Sequence, residues 1–289
     1  MRQIEKTYKK GLLRKFLIKI CRLLGYELID QSDMSFITSL NKESASIVGK
    51  KSITLPLGEI KIKRKIRSLD IILKTCTAVN LVTQNKKRIF EHEKSEYTFR
   101  TINSLLKSLK KSKQYINNIN LQITIIDSGS SKGDKEKMQE ILEKSKFKFN
   151  FIELNLNDYL QRIKVIKKNN TQIESNMKST MASIIKSFEI SKNFDDLIYF
   201  VEDDYIHSDD CISEMLSVYE KFSTILEDEI FIVPVDYPYL YQKNQSTNVL
   251  VGQKYHWRSV RESLLTFLTS KKMINKYYNE LIKMGEIEH

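Results

Sequence analysis

The chain has 289 residues, 41% of them hydrophobic and 10% aromatic, enough apolar side chain for a true core, which excludes global disorder. Its 48 Lys+Arg against 36 Asp+Glu give a formal charge of +12, which points to an anionic partner: phosphate, nucleic acid or acidic lipid. Cys21, Cys76 and Cys211 are odd in number and form no CxxC or Cys/His cluster, so neither a disulfide framework nor a zinc site is expected and the chain reads as intracellular.

Residues 8–26, YKKGLLRKFLIKICRLLGY, place Leu12, Leu13, Phe16, Leu17, Ile20, Leu23 and Leu24 at helical spacing among Lys9, Lys10, Arg14, Lys15, Lys19 and Arg22. The spacing predicts a basic amphipathic helix. It either packs on the body of the protein or lies in the headgroup layer of an anionic membrane, where each cation contributes about 1 kcal/mol. Its cations interrupt any continuous hydrophobic leader, and no apolar run reaches membrane-spanning length, so neither a signal peptide nor a transmembrane helix is expected.

Residues 30–72 read as a polar connecting extension, with a short hairpin predicted where Ile53, Leu55 and Leu57, then Ile60 and Ile62, alternate around Gly58. Beyond it the texture changes to alternating strands and helices. A strand is expected at Thr75–Thr83, a helix at Glu96–Leu109, a strand at Leu121–Ile126 and a helix at Lys132–Lys144. A strand at Phe147–Leu154, a helix at Met177–Ile190 and the strand LIYFV follow. A helix at Asp209–Phe222 and a buried strand at Glu229–Val235 close the series. This rhythm predicts an α/β domain with a mainly parallel sheet flanked by helices, at residues 73–289, behind a basic helical extension and linker at 1–72; a shortened C-terminal side is left open.

Open parallel sheets bind ligands beyond the carboxyl ends of their strands. Three predicted strands end there in polar residues: LQITII in Asp127-Ser128-Gly129-Ser130, LIYFV in Glu202-Asp203-Asp204, and EIFIVPV in Asp236. Three successive carboxylates raise one another's pKa unless a cation relieves them, and Mn²⁺ or Mg²⁺ takes carboxylate oxygens while keeping sites for phosphate. The competing explanation is one capping carboxylate with its neighbours in solvent.

Asp127-Ser128-Gly129-Ser130-Ser131 resembles the DDGS segment of family 2 glycosyltransferases of the GT-A fold, and Glu202-Asp203-Asp204 resembles their DxD motif. Asn176–Ile190, NMKSTMASIIKSFEI, is similar to the intervening helix, whose start lies against the donor diphosphate. The resemblance covers roughly residues 76–250. It implies a GT-A domain of Rossmann-like type and a hexosyltransferase of inverting kind. The donor would be a nucleotide sugar, and the acceptor a hydroxyl of a surface polysaccharide or lipid-linked glycan. It implies donor contacts from Asp127, Ser128, Lys178, Glu202 and Asp203, and metal ligation by Asp204 and Glu202. Two departures stand out: Glu202 replaces the usual first Asp, and VNLVTQN lacks the common Pro and aromatic before its Asn.

Later in the chain, His256 and Arg258 flank the single Trp257, and the same resemblance places such residues over the donor sugar and diphosphate. Asp236, beside Tyr237, Tyr239 and Tyr241, is the candidate base for the acceptor hydroxyl; a turn Asp among core aromatics is the alternative. The implied location is cytoplasmic, peripheral on the inner face of the cell membrane. Two rivals are another metal-dependent nucleotide enzyme, a nucleotidyltransferase or phosphohydrolase, and a non-catalytic basic binder of nucleic acid or membrane. The first lacks a Gly-rich phosphate loop around Asn85-Lys86-Lys87-Arg88. No nucleic acid is expected, because the basic residues are scattered and an acidic sheet edge repels phosphate.

Overall fold

The structure is a computed structural model that describes residues 12–26, 62–78, 93–166, 171–242 and 247–288. The hairpin expected around Gly58, the second half of the strand expected at Thr75–Thr83 and the Asn85–Arg88 segment lie outside the described residues. The chain divides into two compact units, Met1–Gly58 and Glu59–His289. In the first, α1 (Leu12–Leu23) forms as its amphipathic spacing predicts.

The second unit is a five-stranded sheet covered on both faces. Its strands are β1 (Ser68–Thr75), β2 (Asn120–Asp127), β3 (Phe149–Glu153), β4 (Leu197–Glu202) and β7 (Phe267–Ser270), in the order β3-β2-β1-β4-β7. The first four are parallel and β7 is antiparallel to β4. The helices are α2 (Lys94–Lys111), α3 (Lys113–Ile116), α4 (Lys132–Ser145), α5 (Thr171–Ser191), α6 (Cys211–Leu226), α7 (Lys271–Lys276) and α8 (Tyr278–Glu286). A separate hairpin pairs β5 (Val249–Val251) with β6 (His256–Arg258).

Strand alternation sorts the core into two halves. Leu69, Ile71, Leu73, Ile123, Ile125, Tyr199 and Val201 meet α2, α4 and α6 on one face. Ile72, Ile126, Ile198 and Phe200 meet α5 and α8 on the other. All eight residues of β1 are buried, as expected of a central parallel strand. The mainly parallel, helix-covered sheet is therefore as expected.

Two expected strands differ. The first strand is SLDIILKT, not TCTAVNLVT, and the unit it belongs to starts before residue 73. Asp70 and Lys74 disguise it, because a charged residue in a fully buried strand is rare unless something answers it. Lys74 is answered by Glu202, while burial shifts Asp70 toward its neutral form. The segment Glu229–Val235 is not a strand. Only Ile232 bridges Leu268, by N–H···O bonds of 2.8 and 2.7 Å in the two directions. Pro234 has no N–H with which to extend that ladder.

The approach to β1 is fixed from the opposite end of the sheet by Arg64, which reaches Asp196 and, through Nε at 2.9 Å, Glu229. Asp196 also accepts from the Arg67 N–H at 2.8 Å, and Tyr219 donates to Glu229 at 2.6 Å. The guanidinium fork thus ties the incoming chain to the start of β4 and the end of α6.

His207, just beyond β4, is buried against Tyr199, sharing a hydrogen bond of 3.0 Å through Nε2 and meeting the ring edge-on. Burial lowers its pKa from 6.5 to about 4. Between those values the unfolded chain binds more protons, so this contribution is lost as pH falls. Asp70, lifted to about 6 first by burial and then by Asp195, acts with the opposite sign in an overlapping range, so the histidine is read by difference. His207→Gln is expected to remove an acid-side loss on the order of 3 kcal/mol. Urea unfolding of parent and variant from about pH 7.5 to 4 checks it; a parent-minus-variant difference that stays flat with pH contradicts it.

Candidate active site

With strand order β3-β2-β1-β4, the chain turns from one side of β1 to the other between β1 and β4. Open α/β sheets bind ligands at such a switch point, outside the carboxyl ends of the strands. The acidic corner ends β4 at that place, and strand alternation splits it.

Glu202 pairs in register with Lys74 of β1 and lies with it on the α5 side. Lys74 Nζ sits 3.6 Å from Glu202 Oε1, with side-chain exposures of 9% and 28%. The lysine stem lies among Ile184, Phe188, Phe200 and Phe267. Asp203 points the other way, toward α2. Its carboxylate is 2.5 Å from Lys94 Nζ and accepts from Thr98 Oγ1 at 2.9 Å and the Cys76 N–H at 3.2 Å. Asp204 follows in the turn and is exposed.

Across β1, Thr75 and Asp127 are register partners, and the Thr75 hydroxyl donates to Asp127 at 2.8 Å. Asp127 is 3% exposed and also accepts from the Ser130 and Gly129 N–H groups at 3.0 and 3.3 Å. This carboxylate-capped turn needs Gly129, whose φ of 143° is costly for a side chain. The Ser128 N–H donates to Thr75 O at 2.9 Å, Thr77 N–H to Ser130 Oγ at 3.0 Å, and Ser131 caps α4 by accepting from the Asp134 N–H at 3.1 Å. The result is a small, tightly bonded ledge beside Cys76.

On the β4 side, Tyr205 and Tyr237 share a hydroxyl hydrogen bond of 2.9 Å. Burial lifts the Tyr205 hydroxyl well above its usual range, aided by Tyr237, Glu202 and Asp204. These tyrosines therefore join the acidic corner to the 236–241 segment. There Arg258 donates to Asp236 at 2.7 Å and lies 4.2 Å from the centre of the Tyr241 ring, while Tyr241 donates to the other carboxylate oxygen. Burial alone would raise the Asp236 carboxyl, but the hydrogen bonds from Tyr241 and Arg258 outweigh it and hold it below its ordinary range.

The β5–β6 hairpin that carries Arg258 is seated on α6 by one buried side chain. Glu214, 2% exposed, accepts from the Gln253 and Lys254 N–H groups at 3.0 and 3.1 Å and from Trp257 Nε1 at 3.1 Å. Gly252 passes so close that a Cβ there would fall 2.0 Å from Glu214 Oε1.

The structure thus brings Glu202, Asp203 and Asp204 to one strand end and pairs Asp236 with Arg258. Asp127 and Asp203 are buried and hydrogen-bonded to the loops around them. Ser128 sits in the ledge. Lys178 lies near the start of α5 and is engaged with Glu174 at 2.6 Å. His256 is exposed on the hairpin, and Trp257 is held by Glu214. The expected Mn²⁺ or Mg²⁺ does not fit this arrangement: Lys74 answers Glu202, Lys94 answers Asp203, and no group of three or more His, Cys, Asp or Glu among the described residues is placed to hold a metal ion. Sequence reasoning missed Lys74, Lys94, Thr98, Tyr205 and Glu214. Only Lys74 carried a signal, as a cation directly after the apolar run Ile71–Leu73.

No protein-family model and no curated protein matches the chain. Among solved structures it is similar to S. aureus TarS residues 1–349, at 11% identity and a TM-score of 0.38, over 73% of this chain and 49% of that one. It is also similar to the galactosyltransferase LgtC in complex with donor and acceptor sugar analogues, at 12% identity and a TM-score of 0.35, over 76% of this chain and 66% of that one. The chain spans about half of the first and under two thirds of the second. Likenesses this distant carry no argument about activity.

Gly252→Ala is expected to push the hairpin off Glu214. Trp257 is the single tryptophan, so its emission reports the event directly: a red shift with little loss of helical circular dichroism is expected, and unchanged emission would show that the hairpin is not seated this way.

Proposed function

We propose that the chain is a glycosyltransferase that moves a sugar from a nucleotide-diphosphate donor to a hydroxyl of a surface polysaccharide or lipid-linked glycan. The observation that carries this reading is the placement of Glu202–Asp204 and the Asp127–Ser131 ledge on either side of the end of β1, at the carboxyl edge where a parallel sheet takes its ligands. The resemblance of both segments to the DxD and DDGS motifs supports it.

In this reading the ledge, with its small Ser and Gly residues, takes the nucleoside, and Glu202 and Asp204 contact the ribose and sugar. Arg258 leaves Asp236 for the departing diphosphate, which offers it a doubly charged bidentate partner. That exchange frees Asp236 to accept the proton of the acceptor hydroxyl as the new glycosidic bond forms opposite the leaving group, the inverting course. Tyr237, Tyr239 and Tyr241 offer faces for the acceptor sugar.

A panel of UDP- and GDP-linked sugars, assayed for binding and hydrolysis with and without Mn²⁺, tests the reading. At least one donor is expected to bind, Asp204→Ala to weaken it by about tenfold, and Asp236→Asn to lower turnover about a hundredfold with donor binding kept. Failure of every donor to bind or react, with Asp204→Ala indistinguishable from the parent, sinks the proposal.

The basic amphipathic α1 supports a second element of the proposal, attachment to an anionic membrane at its cytoplasmic face. Flotation with phosphatidylserine vesicles is expected to carry the full chain and to leave behind a chain lacking residues 1–27. Equal flotation of both disproves the attachment.

A further inference from the structure

One cation beside the candidate site is built into the fold. Lys74 stands on the central strand, its Cα in register with that of Glu202 on the neighbouring strand, so the two side chains rise together on one face of the sheet. Its side chain is only 9% exposed and passes Phe188, Phe200 and Phe267, surroundings that make a charge costly unless it serves a partner. The contact to Glu202 at 3.6 Å is an ion pair too long to be a hydrogen bond, so the ammonium keeps donor capacity toward an anion entering beside Glu202. The next carboxylate, Asp203, has a lysine of its own in Lys94.

We infer that Lys74 supplies the positive charge that a divalent ion would otherwise bring to this edge, and that a nucleoside diphosphate is held at the β1/β4 switch point without a metal. The inference rests on the transferase reading above and adds how that site manages phosphate charge. A lysine fixed in strand register cannot be removed by a chelator, and it occupies the charge of Glu202 that a metal would need. Lys74 then acts toward the β-phosphate as a point charge, as lysines in phosphate sites do.

The experiment is isothermal titration of the full chain with UDP and with GDP, in EDTA and in Mn²⁺, for the parent, Lys74→Met and Lys74→Arg, with Mn²⁺ binding followed separately by electron paramagnetic resonance. The parent is expected to bind one of the two nucleotides with Kd values in EDTA and Mn²⁺ within about twofold of each other, and to hold no stoichiometric Mn²⁺. Lys74→Met is expected to weaken binding in EDTA by about tenfold or more, to recover in Mn²⁺ as the freed Glu202 accepts the ion, and Lys74→Arg to retain metal-free binding. Parent binding that disappears in EDTA overturns the inference and leaves the transferase reading standing, as does a folded Lys74→Met that binds in EDTA like the parent. Absence of binding by either nucleotide in either buffer overturns both. The parent titrations and the Mn²⁺ measurement decide the matter even where Lys74→Met does not fold.

Discussion

The register of β1 with its two parallel neighbours is the constraint on which the rest of this structure depends. Ser68–Thr75 pairs residue for residue with Asn120–Asp127, and Leu69–Lys74 with Leu197–Glu202. That alignment brings Thr75 level with Asp127 and Lys74 level with Glu202, on opposite faces of the sheet. A slip of one residue would turn every side chain of β1 to the other face and break both pairs together. The packing that prevents it is extensive: every residue of β1 is buried, between α2, α4 and α6 on one side and α5 on the other. The core therefore sets the polar geometry of the edge.

Charge at that edge is managed by separation. Adjacent carboxylates would raise one another's pKa if they shared one volume, but β geometry sends Glu202 and Asp203 to opposite faces, where each meets a lysine from a different element. The cost of burying Lys94 and Asp203 is offset by the Thr98 hydroxyl and the Cys76 N–H, which fill the remaining carboxylate positions. The same network ties the start of α2 to the ends of β1 and β4.

The outer part of the candidate site depends on a second buried carboxylate. Glu214 gathers the N–H groups of the β5–β6 turn and the Trp257 indole, which gives a short two-stranded hairpin a firm seat; alone, such a hairpin is marginal in water. Its second strand delivers Arg258 to Asp236 and Tyr241. Arg258 is thus positioned through Glu214, a residue remote from it in sequence.

Periodicity alone determined much of this protein. The amphipathic helix near the start, the alternation of strands and helices from Glu96 to Phe222, the parallel sheet covered on both faces, and the placement of Asp127 and Glu202–Asp204 at strand ends all follow from local pattern, because hydrophobic period and turn chemistry act over a few residues. What a side chain meets was decided elsewhere. Asp70 and Lys74 made the central strand look unlike one, and Pro234 with a single bridge at Ile232 kept EIFIVPV out of the sheet while FLTS took the edge. The acidic run looked like a metal corner because its residues are neighbours in sequence. In the fold Glu202 and Asp203 meet partners on opposite sides of the sheet, and those partners, Lys74 and Lys94, arrive from β1 and α2 by register and packing, contacts of long sequence separation that no local pattern encodes.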